Sequence, residues 1–406
     1  LLRCRAARRR AVATLVAAAA AVALPFVSQP ASAADRPPFY EPPATLPARD
    51  GDVIRTERSV FYLDALKAFK VDADVHRIMY RSTDRLGKPI AVTGTVLVPR
   101  TPRPAPRPIV AFAPGTQGLA DKCAPSLQMA AGTEYEALPV KGLLDEGYAV
   151  VVTDYQGLGT PGVHTYLNRE VQGRTVLDSL RAAQRLTAAG LPAAGPVALY
   201  GYSQGGGAAA SAAELAPTYA PELKIRGAVV GAAPAQLDKV ADNTDGTAYS
   251  VFFNYSFSGF AAGYGIDTGP YLNAYGRHVT ADLRDNLCTT QALGAYPFLQ
   301  SRFLTANGRP LTERLRQAPW DAIVAEQRLG DRRPPMPVLV SHSTLDDVIP
   351  YELGRDLAAD WCRRGATVKF SRNHVPGHIA AAAATSAEGV PWLADRFAGK
   401  TAPSTC

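Results

Sequence analysis

Short apolar runs alternate with longer amphipathic stretches over most of this chain. Residues 76–80 and 90–98 read as an opening antiparallel pair of strands. Residues 109–113 and 148–153 are apolar almost throughout, as strands buried on both faces of a sheet are. Between 171 and 189, Val176, Leu180 and Ala183 recur at spacings of four and three, the period of a helix. A short apolar strand at 197–200 runs straight into Gly201, an Ala-rich helix follows to Leu215, and 225–230 is strand again. This alternation predicts an α/β fold, with a mostly parallel central sheet and helices on both faces. The rhythm breaks between 236 and 333, where Tyr, Phe, Gly and Asn are frequent and helical fragments such as 312–318 are scattered. That stretch reads as an inserted cap or lid. Strand 338–340, helix 352–363, strand 367–371 and a last helix near 386–397 then restore the pattern. The core is therefore expected over 59–235 and 334–406. Pro37, Pro38, Pro42, Pro43 and Pro47 make 34–58 an extended arm on the surface.

The first 33 residues change the reading of charge. Arg3, Arg5, Arg8, Arg9 and Arg10 form a positive segment, and an apolar run over 11–24 follows it. The run is too short to span a bilayer comfortably, Pro25 ends it, and Ala31-Ser32-Ala33 supplies small residues for cleavage. A signal peptide over 1–33 and a secreted mature protein are expected, with Arg8-Arg9 leaving a twin-arginine route open. The formal charge of +7 falls to about +2 without this leader. No Lys/Arg stripe remains that would fit nucleic acid, and no transmembrane segment is expected. With 47% hydrophobic and 19% charged residues, the composition excludes a disordered or coiled-coil chain. Beyond Cys4 in the leader, Cys123, Cys288, Cys362 and Cys406 form an even set in an exported chain, which favours two disulfides with three pairings open. Their gaps are too long for paired zinc ligands, so no metal is expected.

Chemistry concentrates at a few positions. Gly201-Tyr202-Ser203-Gln204-Gly205 fits the G-x-S-x-G elbow, a tight strand-to-helix turn that lifts a serine hydroxyl clear of the sheet. Its setting between an apolar strand and a small-residue helix supports that reading over an incidental Gly-rich turn. The turn after strand 338–340 carries Asp346, four residues before Pro350, in position to orient a histidine. Asp347 is its rival, read as a solvated turn residue or a cap for the helix beginning near Glu352. After the next strand, His378 follows Pro376-Gly377 and opens an Ala-rich helix, while His374 lies nearer the strand as a candidate packing residue. The chain order Ser, Asp, His is that of α/β-hydrolases. An oxyanion hole needs two N–H donors. The backbone of Gln204 offers one, and Gln117 or Thr116, in the turn 114–118, offers the other.

These residues carry a resemblance. The elbow, Gly115-Thr116-Gln117-Gly118 followed by Asp121-Lys122-Cys123-Ala124-Pro125-Ser126, the loop Asp154-Tyr155-Gln156-Gly157-Leu158-Gly159 and the Asp346-to-Pro350 turn look like the secretory lipase family of fungal lipase A type. The similarity runs from about residue 60 onward, and the cluster around Cys123 is its most specific part. It implies a triad of Ser203, Asp346 and His378, with Gln117 and Gln204 at the oxyanion positions. It further implies a Cys123–Cys288 bridge, with Cys362 left to Cys406, and a cap over an acyl-binding pocket.

The expected function is hydrolysis of carboxylic esters, as a triacylglycerol lipase or carboxylesterase, through an acyl-enzyme and without a cofactor. The expected partner is a lipid or ester, met at a lipid–water interface, and a monomer is expected. A peptidase or acyltransferase would use the same residues on the same fold. A non-catalytic exported binding protein would instead show a broken triad, whereas here every member has a candidate.

Overall fold

The computed structural model describes residues 36–406; the leader and Cys4 lie outside them. Nine strands form one sheet in the spatial order β1-β2-β3-β5-β4-β6-β7-β8-β9. The strands β1 (Val53–Ser59), β2 (Ala73–Thr83) and β3 (Pro89–Pro99) form an antiparallel meander, and β3 meets β5 (Ala149–Thr153) antiparallel. Beyond that junction every neighbour is parallel: β4 (Ile109–Ala113), β6 (Pro196–Tyr202), β7 (Lys224–Gly231), β8 (Val338–Ser343) and β9 (Val368–Asn373).

Helices cover both faces because the central strands are apolar on both. Ile109, Ala111, Leu199, Val230 and Val340 face one core, while Val110, Phe112, Tyr200, Val229 and Leu339 face the other. This is the two-residue period of a strand in a doubly covered sheet. The helices in chain order begin with α1 (Pro125–Ala131), α2 (Ala137–Asp145), α3 (Arg169–Arg185) and α4 (Gln204–Tyr219). Between β7 and β8 come α5 (Leu237–Thr244), α6 (Val251–Tyr264), α7 (Ala274–Asp285), α8 (Thr289–Ala295), α9 (Leu311–Arg314) and α10 (Trp320–Glu326). The chain finishes with α11 (Tyr351–Arg363) and α12 (His378–Phe397). The first core takes α3, α4 and α11, and the second takes α2 and α12. Helices α5 to α10 bury a separate aromatic core around Phe257, Phe260 and Trp320. Phe257 and Trp320 stack there at 4.6 Å.

Two elements differ from the sequence reading. The proline-rich arm ends earlier than residue 58, since β1 pairs with β2 from Val53 to Ser59. No residue of β1 is fully buried, so this edge strand gives no hydrophobic alternation to read. The arm is also fastened rather than loose: Tyr40 is fully buried, with its hydroxyl 2.7 Å from Ser126 Oγ. The Ala-rich helix expected to open at His378 and the last helix expected near 386–397 are one unbroken element, because the alanines after Ile379 propagate a helix without marking a face.

Both disulfides are present, Cys123–Cys288 and Cys362–Cys406. The first ties the segment after β4 to the inserted helices across a sequence separation of 165. A constraint over a loop of that length contributes up to about 5 kcal/mol on chain-entropy grounds, less any native strain. Reduction is therefore expected to lower the thermal midpoint clearly. An unchanged midpoint with four titratable thiols would remove the argument.

Among the described residues no helix is long and apolar enough to cross a membrane, and no cluster of three metal-ligating side chains occurs.

Candidate active site

Ser203 stands between β6 and α4 with φ 59° and ψ −124°, a left-handed conformation that a non-glycine residue adopts only when its surroundings impose it. The imposition is visible. Its N–H donates to Gly231 O at 3.0 Å, and its own carbonyl accepts from Gly207 N–H at 3.0 Å. A Cβ on Gly205 would run into the carbonyl of Ala113, and one on Gly201 into the carbonyl of Gly205. Glycine at both positions lets β4, β6 and α4 close around the turn, leaving the serine side chain as the one that projects.

Two further loops at the same ends of the parallel strands bring partners to this hydroxyl. His378 Nε2 lies 2.8 Å from Ser203 Oγ, and His378 Nδ1 lies 2.8 Å from Asp346 Oδ2. Gly377, with φ 80°, turns the chain so that His378 opens α12 facing back over the strand ends. The hydroxyl of Tyr202 donates to the His378 carbonyl at 2.6 Å, and the two rings tilt together at 5.0 Å. Asp346 Oδ1 accepts the N–H groups of Val348 (2.9 Å) and Ile349 (2.8 Å). Burial alone would raise the Asp346 pKa, but hydrogen bonds from His342, His378 and that backbone outweigh it and hold the carboxyl below its usual range. Asp346 is thus an anion beside an imidazole whose Nδ1 must carry hydrogen.

The rival residues occupy other positions. Asp347 caps a helix, but it is α12 rather than the one beginning near Glu352, through a 2.7 Å bond from His378 N–H. It reaches that helix because the 343–350 turn packs directly against the turn at 375–377, where Gly377 N–H donates to Leu345 O. His374 is exposed, with Nδ1 2.7 Å from Thr344 Oγ1.

Of the expected oxyanion donors, Gln204 occupies the first position of α4, where an N–H has no acceptor within its helix. Gln117 is buried, and its side-chain amide is already committed. It donates to Glu134 Oε1 (3.1 Å) and Glu136 Oε2 (3.3 Å) and accepts from Gln128 at 2.6 Å. Only the backbone N–H groups of Thr116, Gln117 and Gly118 remain in this turn for an oxyanion. Glu136 also accepts from Gly115 N–H at 2.7 Å, and burial lifts both glutamates above the usual carboxylate range.

Sequence reasoning passed over three buried residues here. His342, four residues before Asp346, places Nε2 3.0 Å from Ile349 O and 3.5 Å from Asp346 Oδ2. Its four-residue spacing from Asp346 is the only local signal. Glu134 and Glu136 lie in the turn between α1 and α2, where no motif marks them.

A cavity of about 30 Å³ opens beside Ser203 and Gln204, walled by Leu237 and Val240 of α5, Phe253 and Phe257 of α6, and Ile349. That volume holds little more than a water molecule.

The fold is similar to that of Candida antarctica lipase A in its closed state, with a TM-score of 0.80, 25% identity, and coverage of 91% of this chain and 87% of that one. The protein is an α/β-hydrolase of the ester-hydrolysing class. A family model for secretory lipases matches residues 124–405, and the chain belongs to that family. It is similar to Lipase 10 of Candida albicans, 28% identical over 392 residues that cover 91% of this chain and 82% of the relative. A probable inactive lipase of Mycobacterium tuberculosis is 29% identical, with 89% and 82% covered.

Proposed function

We propose that this secreted hydrolase is a lipase working through a Ser203–His378–Asp346 triad and an acyl-enzyme. The observation that carries the reading is the continuous chain of two 2.8 Å contacts from serine hydroxyl to imidazole to carboxylate. Ser203 Oγ attacks the ester carbonyl while His378 Nε2 takes its proton, and the Asp346 anion stabilises the resulting imidazolium. The tetrahedral oxygen receives the backbone N–H groups of Gln204 and Gln117. His378 then protonates the leaving alkoxide, the alcohol departs, and the acyl group stays on Ser203. Water, deprotonated by the same imidazole, releases the acid. All three members are present in hydrogen-bonded register, which favours activity over the inactive state named for the mycobacterial relative.

The inserted helices serve in this reading as a cap over the acyl chain. The apolar wall of α5 and α6 suits a fatty acyl group, and the present cavity requires the cap to move before one enters. The Candida albicans and Candida antarctica relatives are named as lipases, which supports lipid esters as substrates.

The test is a chain-length series of p-nitrophenyl esters, run below and above substrate solubility. A lipase shows a rise in rate with acyl length and a further rise above the solubility limit. Activity confined to acetate and butyrate, flat across that limit, would reassign the protein as an esterase of soluble substrates.

A further inference from the structure

The Asp154-to-Gly159 loop, one of the motifs that single this sequence out, leads to a histidine the reaction scheme does not use. His164 is fully buried between two tyrosines, stacked on Tyr155 at 5.8 Å and edge-on to Tyr166 at 5.9 Å. Its Nδ1 lies 2.8 Å from the carbonyl of Gln156, which can only accept, so Nδ1 carries the hydrogen. Nε2 is left with a lone pair, and it faces Gln204 Nε2 at 3.1 Å. Burial pushes the His164 pKa down to about 4, so the ring stays neutral and keeps that lone pair over the working range of an ester hydrolase.

Both neighbours of the ring reach the opposite arm of the site. The Tyr155 hydroxyl donates to Pro114 O at 2.9 Å, and the Tyr166 hydroxyl lies 2.6 Å from Thr116 Oγ1. One imidazole therefore touches the side chain of Gln204 directly, and through one stacked and one edge-on phenol it braces the turn that holds Gln117.

We infer that His164 is a positioning residue for ester hydrolysis, fixing the N–H of Gln204 relative to the N–H groups of the 114–118 turn so that both meet the oxyanion. It touches no substrate atom. Its effect is geometric: the Gln204 side chain sets the torsion of the first residue of α4, and hence the plane of the Ser203–Gln204 peptide that carries the donor. An oxyanion donor acts on the tetrahedral state more than on the bound ester, so the loss should fall on kcat. The inference rests on the serine-nucleophile reading above.

The variants are His164→Phe, which keeps a flat ring in the stack but removes both nitrogens, and Gln204→Met, which keeps the backbone N–H but removes the amide. Each is measured for kcat and KM on p-nitrophenyl butyrate. Each is also measured for affinity to an alkyl trifluoromethyl ketone, which Ser203 adds to as its proton passes to His378, leaving the oxyanion in the hole. Removing a donor outright costs about 100- to 1,000-fold, so misaligning one should cost about 10- to 100-fold in kcat. The expected result is that loss, an equal loss of ketone affinity, an unchanged KM, and a double variant no worse than either single. Unchanged kcat, lost kcat with full ketone affinity, or losses that multiply in the double variant would each overturn it. If His164→Phe fails to fold, wild-type kcat and ketone affinity in Gln204→Met overturn the inference by themselves. A Ser203→Ala control separates the two levels. Hydrolysis surviving there defeats the underlying reading, whereas an inactive control beside a fully active His164→Phe defeats only the positioning role.

Discussion

Ser203→Ala is expected to abolish ester hydrolysis, with kcat falling by roughly six orders of magnitude, as loss of the nucleophile does in other serine hydrolases. Only the Oγ is removed. The strained backbone at φ 59° is held by Gly231 and Gly207 and not by the hydroxyl, so the fold should persist. Circular dichroism and the thermal midpoint should match wild type, and a fluorophosphonate should label the wild-type enzyme at this serine alone. Labelling at another serine, or hydrolysis persisting in the variant, would end the assignment.

The next largest effect separates the two histidines of the 373–378 loop. His378→Ala removes the imidazole that lies 2.8 Å from Ser203 Oγ, the base of the proposed mechanism, and is expected to cost about as much as losing the serine itself. Acylation depends on this base, so fluorophosphonate labelling should be lost along with turnover. His374→Ala removes an exposed ring bonded to Thr344 and should leave labelling and most activity in place. Retained labelling in the first variant and lost labelling in the second would transfer the role to His374.

How far this site can be read from sequence depends on the range over which each feature is encoded. The elbow is legible because its constraint is local: glycines two residues either side of Ser203 permit a turn that no other residue tolerates. Asp346 is legible for a similar reason, since its cap on Val348 and Ile349 closes within three residues. The central strands announce themselves as apolar on both faces. By contrast, β1 has no buried position and leaves no periodic trace. In α12 the Pro376-Gly377 turn marks the start, while the alanine run hides that the helix continues unbroken to Phe397. The link from Asp347 to His378 spans 31 residues, and that from His164 to Gln204 spans 40. Both depend on which loops the sheet order brings side by side, which no local window contains. The commitment of the Gln117 amide to two buried glutamates is likewise a product of packing and not of motif.

The two disulfides also decide what a protease outside the cell could do to this chain. Cys123–Cys288 closes one covalent ring and Cys362–Cys406 another. Ser203 lies within the first and His378 within the second, while Asp346 stands on the open stretch between them. A single cut inside either ring leaves one molecule, its severed ends still joined through sulfur. A cut between 288 and 362 divides the chain into two pieces, one bearing the serine and the other the histidine. The sheet joins them through β7 and β8 if the cut precedes β8, and through β8 and β9 if it falls in the Asp346 turn. Survival of a nicked enzyme therefore depends on where the nick falls, and between the two rings the span that separates serine from histidine runs from the latter part of the inserted helices through the turn that carries Asp346.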